Sequence, residues 1–512
     1  MTLPPWPPQV TQQARDALLT QATNYALANG ILFAGAEQPE PLAHGYHVPF
    51  ALFPSPFPRR LFNQAKELQS LYHELYARVA SDYAFLDQVV NEIGDADPFV
   101  KRLWGIFQQC HEEGIAQPIH MGIVRSDYLL HEVEDKPFAM RQVEFNAIGC
   151  AFGPHSQSIG NLHKYLHTLT GYCDSSPLLK QDSMPENYTI PKMAEGIAEA
   201  HSLYGSTDAW VLFLVSEKES NIFDQRRLEY QLVETHKVRV IRQSYEDLIE
   251  NATLDESRQL LVRSPLRSQP IPISVVYFRA GWSPASFPTD AHFDIRHTIE
   301  RSRAIKCPTL PVQISGSKKV QQVLAASGVL ERFLTSPKYG PPLAQAQIST
   351  VQDTFAGMWA LDEILSERGL DAVKSLGASK AIVLKPQREG GGNNVYGEDI
   401  PSFLDGLPVD ERKAWIAMEM IKIPRGVRNW LVRSGFDGAG KSVAGLVRAV
   451  NEEVVSELGI FGTMLFRESE GHTKMLRNEE AGYLLRTKEV VNNEGGVGVG
   501  FSVLDSALLV EE

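Results

Sequence analysis

The spacing of apolar residues changes along these 512 residues, and that change limits the fold more than any single motif. From Thr11 to about Ala116, "RDALLTQATNYALAN" and "LFNQAKELQSLYHELYARVASDYAFLDQVVNEI" repeat apolar residues at the three- and four-residue spacing of amphipathic helices, around a proline-rich connection. "FAMRQVEFNAIG" (138–149) alternates like a strand, which puts Gln142, Glu144 and Asn146 on one face and Val143 and Phe145 on the other. Between about Asp208 and Lys318, "AWVLFLVS", "FDQRRLEYQLVETH", "VRVIRQ" and "ISVVYFRAGW" alternate strand with helix. This is the grammar of a small parallel α/β unit whose strand carboxyl ends face a ligand. The remainder, with "KAIVLKP", "AWIAMEMI", "VVSELGIFGTMLF" and "GYLLRTKEVV", is richer in strands joined by polar or glycine-rich loops. At roughly 100–200 residues per domain, the length divides into about three units. These are read as residues 1–207 (helical scaffold plus one strand of the core), 208–318 (substrate-side α/β unit) and 319–512 (core with glycine-rich loops).

Composition narrows the function. Hydrophobic residues at 43% and charged residues at 22% are those of an ordinary globular protein, and no stretch reaches the apolar length of a bilayer span, so no membrane role is expected. The net charge of −13 opposes general nucleic-acid binding, which needs clustered Lys and Arg. Any anion site must therefore gather its cations locally. Cys110, Cys150, Cys173 and Cys307 form no CxxC pair, which argues against a zinc site and a disulfide framework. With no basic segment and apolar stretch at the amino terminus, a cytoplasmic location is expected.

The stretch "VLKPQREGGGNNVYGED" (383–399) follows a run that reads as a buried strand. Lys385 ends that strand and Gly390, Gly391 and Gly392 follow, so an ammonium can reach phosphate oxygens while unhindered amides approach them. A triple glycine serves equally as a plain flexible turn. Glu144, Asn146 and Glu389 offer oxygen ligands without thiol or imidazole, which suits magnesium. Glu144 and Asn146 fit just as well on the solvated face of an edge strand. Lys318 and Lys319, Arg486 and Lys488, and Arg125 and Arg279 place further cations near strand or loop ends. "GFDGAGKS" (435–442) satisfies the P-loop expression, but a working P-loop lies between a strand and a helix. The β-rich "VAGLVRAV" that follows predicts a hairpin turn instead, with no nucleotide role for Lys441.

Several long motifs occur together: "RSDY" at 125, "QVEFN" at 142, "EKESNIFDQR" at 217, "VVYFRAGW" at 275, "AIKCP" at 304, "GSKKVQQVL" at 316, "LKPQREGGGNNVYGE" at 384, "SELGIFG" at 456, and "LLRTK" with "GGVGVG" near the carboxyl end. In kind and order they resemble the eukaryotic-type glutathione synthetase family of ATP-grasp ligases, from about residue 100 onward. The resemblance implies an α/β (α+β) chain: a permuted ATP-grasp fold with antiparallel sheets, a helical amino-terminal scaffold and an inserted small parallel α/β substrate-binding domain. It implies a homodimer that uses ATP and Mg2+ to join γ-glutamylcysteine to glycine through an acyl phosphate. By matched position, Glu144, Asn146 and Glu389 would hold the metal. Lys318, Lys385, Glu389, Gly390, Gly391, Gly392, Asn394, Tyr396, Lys488 and Glu494 would surround ATP together with Glu144, while Met418, Glu419, Ile421 and Glu457 would lie near adenine and ribose. Arg125, Gly149, Ala151, Asn221, Gln225, Arg279, Trp282, Arg486, Val497 and Gly498 would face the peptide, with Arg486, Lys385 and Arg125 acting in catalysis. The glycine loops near 390 and 495 would be lids that keep water from the acyl phosphate.

The chain departs from the family's pattern on the peptide side. Gly149 and Ala151 stand where the family usually has serines, and Trp282 stands where it has a tyrosine. A site that loses hydrogen-bond partners discriminates differently. A related ligase with another amino-acid acceptor and a non-catalytic ATP or peptide sensor are therefore the alternatives.

Overall fold

The computed structural model describes residues 5–35, 42, 44–387, 393–436, 442–493, 495–498 and 500–511. Its centre is a seven-stranded sheet in the order Arg428–Phe436, Phe50–Ala51, Ser502–Asp505, His472–Glu489, Ser442–Ser469, Ile119–His131, Ala139–Asn146. Neighbours are antiparallel except Ser502–Asp505 with Phe50–Ala51, and Arg428–Phe436 also pairs with Ser442–Ser469. The two longest strands meet in a tight hairpin at Glu470 and Gly471, whose φ values of 53° and 79° suit the twist of the flanking strands.

The helix Arg59–Ser81 covers one face of this sheet because Leu61, Phe62, Ala65, Leu68, Tyr72, Leu75, Tyr76 and Val79 recur at helical spacing and are all buried. Tyr76 stacks on Phe145 with centroids 3.7 Å apart and planes 5° apart, and Phe62 meets Tyr483 edge-on at 5.1 Å. Such pairs each add about 0.5–1.5 kcal/mol beyond the area they bury. The first pins the strand that carries Glu144 from behind, and the second the strand His472–Glu489.

Two features of the sheet correct the sequence reading. In the strand Ala139–Asn146, Tyr128 pairs with Gln142 but Asp127 pairs with Glu144, so Val143 is an extra residue, a β-bulge. The bulge shifts the alternation by one. Gln142 therefore lies on the core face with Tyr128 and Phe145, while Glu144 and Asn146 lie on the opposite face with Asp127 and Arg125. The proline-rich connection is also more than a connection: Phe50–Ala51 enters the main sheet, and Ser55–Pro58 pairs in parallel with Ala507–Val510.

Between Trp210 and Cys307 the strand and helix alternation builds a separate sheet. Val240–Gln243, Trp210–Leu214, Arg267–Phe278 and Ile305–Cys307 are adjacent and parallel, with an antiparallel hairpin of Ala252–Leu254 and Leu260–Ser264 on the side of Arg267–Phe278. A third sheet, four-stranded and antiparallel, runs Met358–Ala360, Trp415–Glu419, Ile382–Pro386, Val395–Tyr396. Leu384 and Ala417 face the apolar side chains of the helices Leu361–Arg368, Leu370–Ala378 and Asp399–Gly406. Met358, Val383, Ile416 and Met418 form a smaller apolar patch on the other side. The stretch with the P-loop spelling joins the strand Arg428–Phe436 to the strand Ser442–Ser469, with Phe436 opposite Ser442. A strand, not a helix, follows it. Lys441 lies outside the described residues.

Candidate functional site

Cross-strand register gathers the polar residues. Directly opposed residues of an antiparallel pair share a face, and Asn146 opposes Arg125, Glu144 opposes Asp127, and Glu457 opposes Arg486. The strands Ala139–Asn146, Ile119–His131, Ser442–Ser469 and His472–Glu489 thus present Glu144, Asn146, Arg125, Asp127, Glu457 and Arg486 as one band across a single sheet face.

Asp127 is the hub of that band. Its Oδ1 accepts from Arg125 Nε at 2.6 Å, and its Oδ2 accepts from Arg125 Nη2 at 2.7 Å, Arg486 Nη2 at 2.9 Å and Asn146 Nδ2 at 3.0 Å. It is fully buried, and the two-point contact with Arg125 fixes the guanidinium plane. Arg486 also donates to Glu457. The motif spelling "RSDY" carries Asp127 beside Arg125, yet sequence reasoning assigned it no role. The available signal was the i, i+2 spacing on a strand, which puts both side chains on one face.

Lys318 and Lys385 reach this band from elsewhere. Lys318 opens the helix Lys318–Ala325, and its Nζ is 3.3 Å from Glu144 Oε2. Lys319 turns the other way and pairs with Glu92 at 3.4 Å, so only one of the adjacent lysines serves the site. Lys385 shares the strand face of Val383, and its Nζ donates to the Val143 carbonyl at 3.4 Å. Burial raises the Glu144 pKa, but Lys318, Lys385, Arg486 and Arg125 outweigh it and bring the carboxyl down to about 2. Glu144 is a carboxylate throughout the neutral range. The solvated edge-strand alternative fails, because this edge strand faces a ring of cations.

The peptide-side candidates converge on the loop after Asn146. Arg279 Nη1 donates to the Cys150 carbonyl at 2.6 Å and Arg125 Nη1 to the Ala151 carbonyl at 3.4 Å. Trp282 lies against Gly149. Asn221 and Gln225 sit at the start of the helix Ile222–Glu234. Asn221 Nδ2 donates to Asp224 at 3.4 Å; Gln225 donates to Glu219 at 2.6 Å and accepts from Arg242 at 2.9 Å. Asp224, unmarked in the sequence reading, ties that helix to the loop by accepting from the amides of Phe152 at 2.9 Å and His155 at 3.0 Å. Val497 is buried, Gly498 lies beside Phe152, and Gly495 lies beside Glu457, so the described residues of the second glycine loop touch both the band and the loop after Asn146.

The nucleotide-side candidates form a neighbouring group. Asn394 Nδ2 donates to Tyr396 Oη at 3.0 Å, while Tyr396 Oη and Lys488 Nζ both donate to the Asn493 carbonyl, at 3.3 and 2.7 Å. Asn394, Tyr396, Ile382, Met420, Asn493 and Phe501 border a cavity of about 650 Å³. Met418 is buried in the apolar patch beside Tyr396 and Ile421, and exposed Glu419 accepts from the Gly357 amide at 3.3 Å. Met418 and Glu419 thus belong to the third sheet, with Ile421 just beyond the end of their strand, apart from the charged band on the first. Glu389, Gly390, Gly391, Gly392 and Glu494 lie outside the described residues.

A slot of mixed polar and apolar lining beside a line of cations, followed by buried arginines, suits a nucleotide triphosphate set next to an acidic peptide. Comparison with known proteins agrees. Residues 12–509 match the family described as eukaryotic glutathione synthase, ATP binding domain. The chain is 37% identical to the glutathione synthetase of Xenopus laevis over 498 residues, 97% of each chain, and 37% identical to that of Homo sapiens over 97% of this chain. It is 33% identical to the glutathione synthetase large chain of Schizosaccharomyces pombe over 98% of this chain and 99% of the relative. Among solved structures, a glutathione synthetase-like effector of Globodera pallida in its apo form superposes with a TM-score of 0.75 at 23% identity, covering 99% of this chain and 100% of that one, a likeness of fold. Matched over nearly its whole length, the chain belongs to the eukaryotic glutathione synthase family.

Proposed function

We propose that the charged band and the slot beside it join γ-glutamylcysteine to glycine at the expense of ATP, the reaction of the family to which the chain belongs. The observation that carries this reading is the gathering of Lys318, Lys385, Arg125 and Arg486 around Glu144, Asn146 and Asp127 in a chain of net charge −13. A free carboxylate is a poor acyl donor. The carboxylate of the cysteinyl residue attacks the terminal phosphorus of ATP, the bond to ADP breaks, and an acyl phosphate forms. The glycine amine then attacks the acyl carbon, phosphate leaves with the carbon–oxygen bonding pair, and the amine loses a proton to give the amide. In this reading Lys318 and Lys385 stabilise charge on the transferring phosphoryl oxygens, while Arg125 and Arg486 orient the peptide carboxylate and the acyl oxygen. Asp127 is a positioning residue that holds both arginines. The loop at 495–498 excludes water from the acyl phosphate.

Among the described residues, no cluster of three or more His, Cys, Asp or Glu side chains is arranged to hold a metal. Magnesium asks for less, since it keeps several waters and takes phosphate oxygens. Glu144 is ionised, and Asn146 has its amide nitrogen tied to Asp127, which leaves its carbonyl oxygen as a hard ligand. These two, with Glu389, fit Mg2+, which when bound neutralises charge on the phosphates. We further place the protein in the cytoplasm as a homodimer. The four cysteines form no disulfide, and among the described residues no helix is long and apolar enough to cross a membrane.

The test is ADP release by purified protein with ATP, magnesium and γ-glutamylcysteine, with and without glycine, and products identified by mass. Glycine-dependent ADP release with formation of glutathione is expected. Turnover only with another amino acid would move the acceptor assignment, and ATP binding without turnover on any acceptor would overturn the ligase reading.

A further inference from the structure

Gly149 and Trp282 are far apart in sequence and touch in the fold. A Cβ built on Gly149 would lie 3.0 Å from Trp282 Cε3, 3.5 Å from Cζ3 and 3.7 Å from Cδ2. The backbone of Gly149 has φ of +64°, in the left-handed region. The indole therefore occupies the space of a side chain at 149. Its own backbone is fixed from several directions. The preceding Gly281, at φ +101°, has Tyr245 Oη only 2.5 Å from where a Cβ would stand. The Gly281 amide donates to Ser286 Oγ at 3.2 Å, and its carbonyl accepts from Gln313 Nε2 at 3.1 Å. Beyond the indole, Phe99, Pro284 and Trp415 line with it a cavity of about 450 Å³.

The facing loop is held with equal economy. The carbonyls of Cys150 and Ala151 accept from Arg279 and Arg125, and neither residue 149 nor residue 151 carries a hydroxyl. We propose that Gly149 and Trp282 form one coupled specificity element. In it, the indole fills the space of a side chain at 149 and holds the γ-glutamyl dipeptide by shape, where hydroxyls would otherwise hold it by hydrogen bonds. The proposal rests on the reading of this loop as the dipeptide's site. Because the two residues share one volume, a change at either acts through the other.

A double-mutant cycle with G149A, W282Y and G149A/W282Y tests this. Thermal unfolding is read alongside KM and kcat for γ-glutamylcysteine and KM for ATP. Overpacking against the fixed indole lowers Tm by about 2 °C in G149A, and W282Y recovers most of it. The left-handed backbone penalty at 149 is common to both backgrounds and drops out of the cycle. KM for the dipeptide rises about tenfold in each single variant and returns to within about threefold of wild type in the double variant, with KM for ATP unmoved. Independent effects, multiplying in the double variant, overturn the proposal. Coupling in Tm without coupling in KM also overturns it, leaving a packing contact only. Wild-type protein that binds ATP but never turns over counts against the ligase reading, and the Tm cycle still reports on the pair.

Discussion

Arg486 and Thr487 are neighbours in one strand and face opposite sides of one sheet, and the two sides treat a buried carboxyl in opposite ways. On the Arg486 side, Asp127, Glu144 and Glu457 lie among Arg125, Arg486 and Lys318. On the Thr487 side, Asp505 meets only neutral donors among the described residues: Ser55 Oγ at 2.6 Å, Thr487 Oγ1 at 2.7 Å and the Ser506 amide at 2.7 Å. Cations draw the Glu144 pKa down to about 2 despite its burial, whereas burial pushes that of Asp505 up to about 7 against its hydrogen bonds. Charge is kept where the proposed phosphoryl transfer would use it, and the opposite side joins its strands with groups that can be neutral. A buried ion cluster is weak evidence for stability, because desolvation offsets much of its attraction. The band is better understood as a site that the rest of the sheet supports.

Breaking the charged side should have the largest effect. Asp127→Ala leaves Arg125, 5% exposed, without its two-point partner and removes one of the two carboxylates on Arg486. Removing one member of a buried pair is worth about 3–5 kcal/mol, and the ligase activity should fall with it. Urea unfolding measures the first effect and ADP release the second. A stability loss under about 1 kcal/mol would show that Arg125 is held by the Ala151 carbonyl and Glu144, and that Asp127 is not the hub.

Next in size is the pH dependence of the opposite side. The folded pKa of Asp505 lies near 7, above its ordinary 3.8, so between these values the folded state binds a proton that the unfolded state has lost. Its contribution is fully present below about 4 and is lost as pH rises through 7, at about 1.4 kcal/mol per pH unit. Glu144 has the reverse sign: its contribution is present above 4.5 and is lost as pH falls toward 2. Urea midpoints from pH 4 to 8 should show Asp505→Asn with a flatter decline than wild type, while Glu144→Gln keeps the wild-type decline in that range and flattens the curve only below 4.5. Equal slopes for wild type and Asp505→Asn would mean that Asp505 is ionised in the folded protein, and that the contrast between the two sides fails.

How far this arrangement was legible depends on the range of the signal. Local alternation and motif spelling were enough to mark Glu144, Asn146, Arg125 and Arg486, and the strand and helix alternation after Asp208 announced a parallel sheet. Asp127 had a local signal in its spacing from Arg125, but its place as a hub escaped because its other cation, Arg486, is 359 positions away and only strand register joins them. Phe50–Ala51 and Ser55–Pro58 escaped for a related reason: in a proline-rich segment nothing local marks a strand, and their partners are Arg428–Phe436, Ser502–Asp505 and Ala507–Val510. The bulge at Val143 carries no glycine or other local mark, and a shift of one residue moves a side chain to the other face.

That shift yields the smallest and sharpest test of the two-sided sheet. The bulge carries Gln142 to the core side, fully buried, where neither its amide nitrogen nor its oxygen has a partner among the described residues. Its neighbours there are Tyr128 and the ring of Phe145, and its main-chain amide, which donates to the Thr354 carbonyl at 2.7 Å, is indifferent to the side chain. A buried amide without partners is unfavourable by about 1–3 kcal/mol, so Gln142→Leu, similar in volume and apolar, should raise stability by about 1 kcal/mol with KM for ATP unchanged. Urea unfolding resolves a change of that size. If Gln142 lay on the charged face, as plain alternation requires, the same substitution would place leucine beside Glu144 and Asn146 and disturb ATP binding instead. A rise in stability with intact KM therefore locates the bulge, and a fall in stability with a raised KM for ATP puts Gln142 back among the charges.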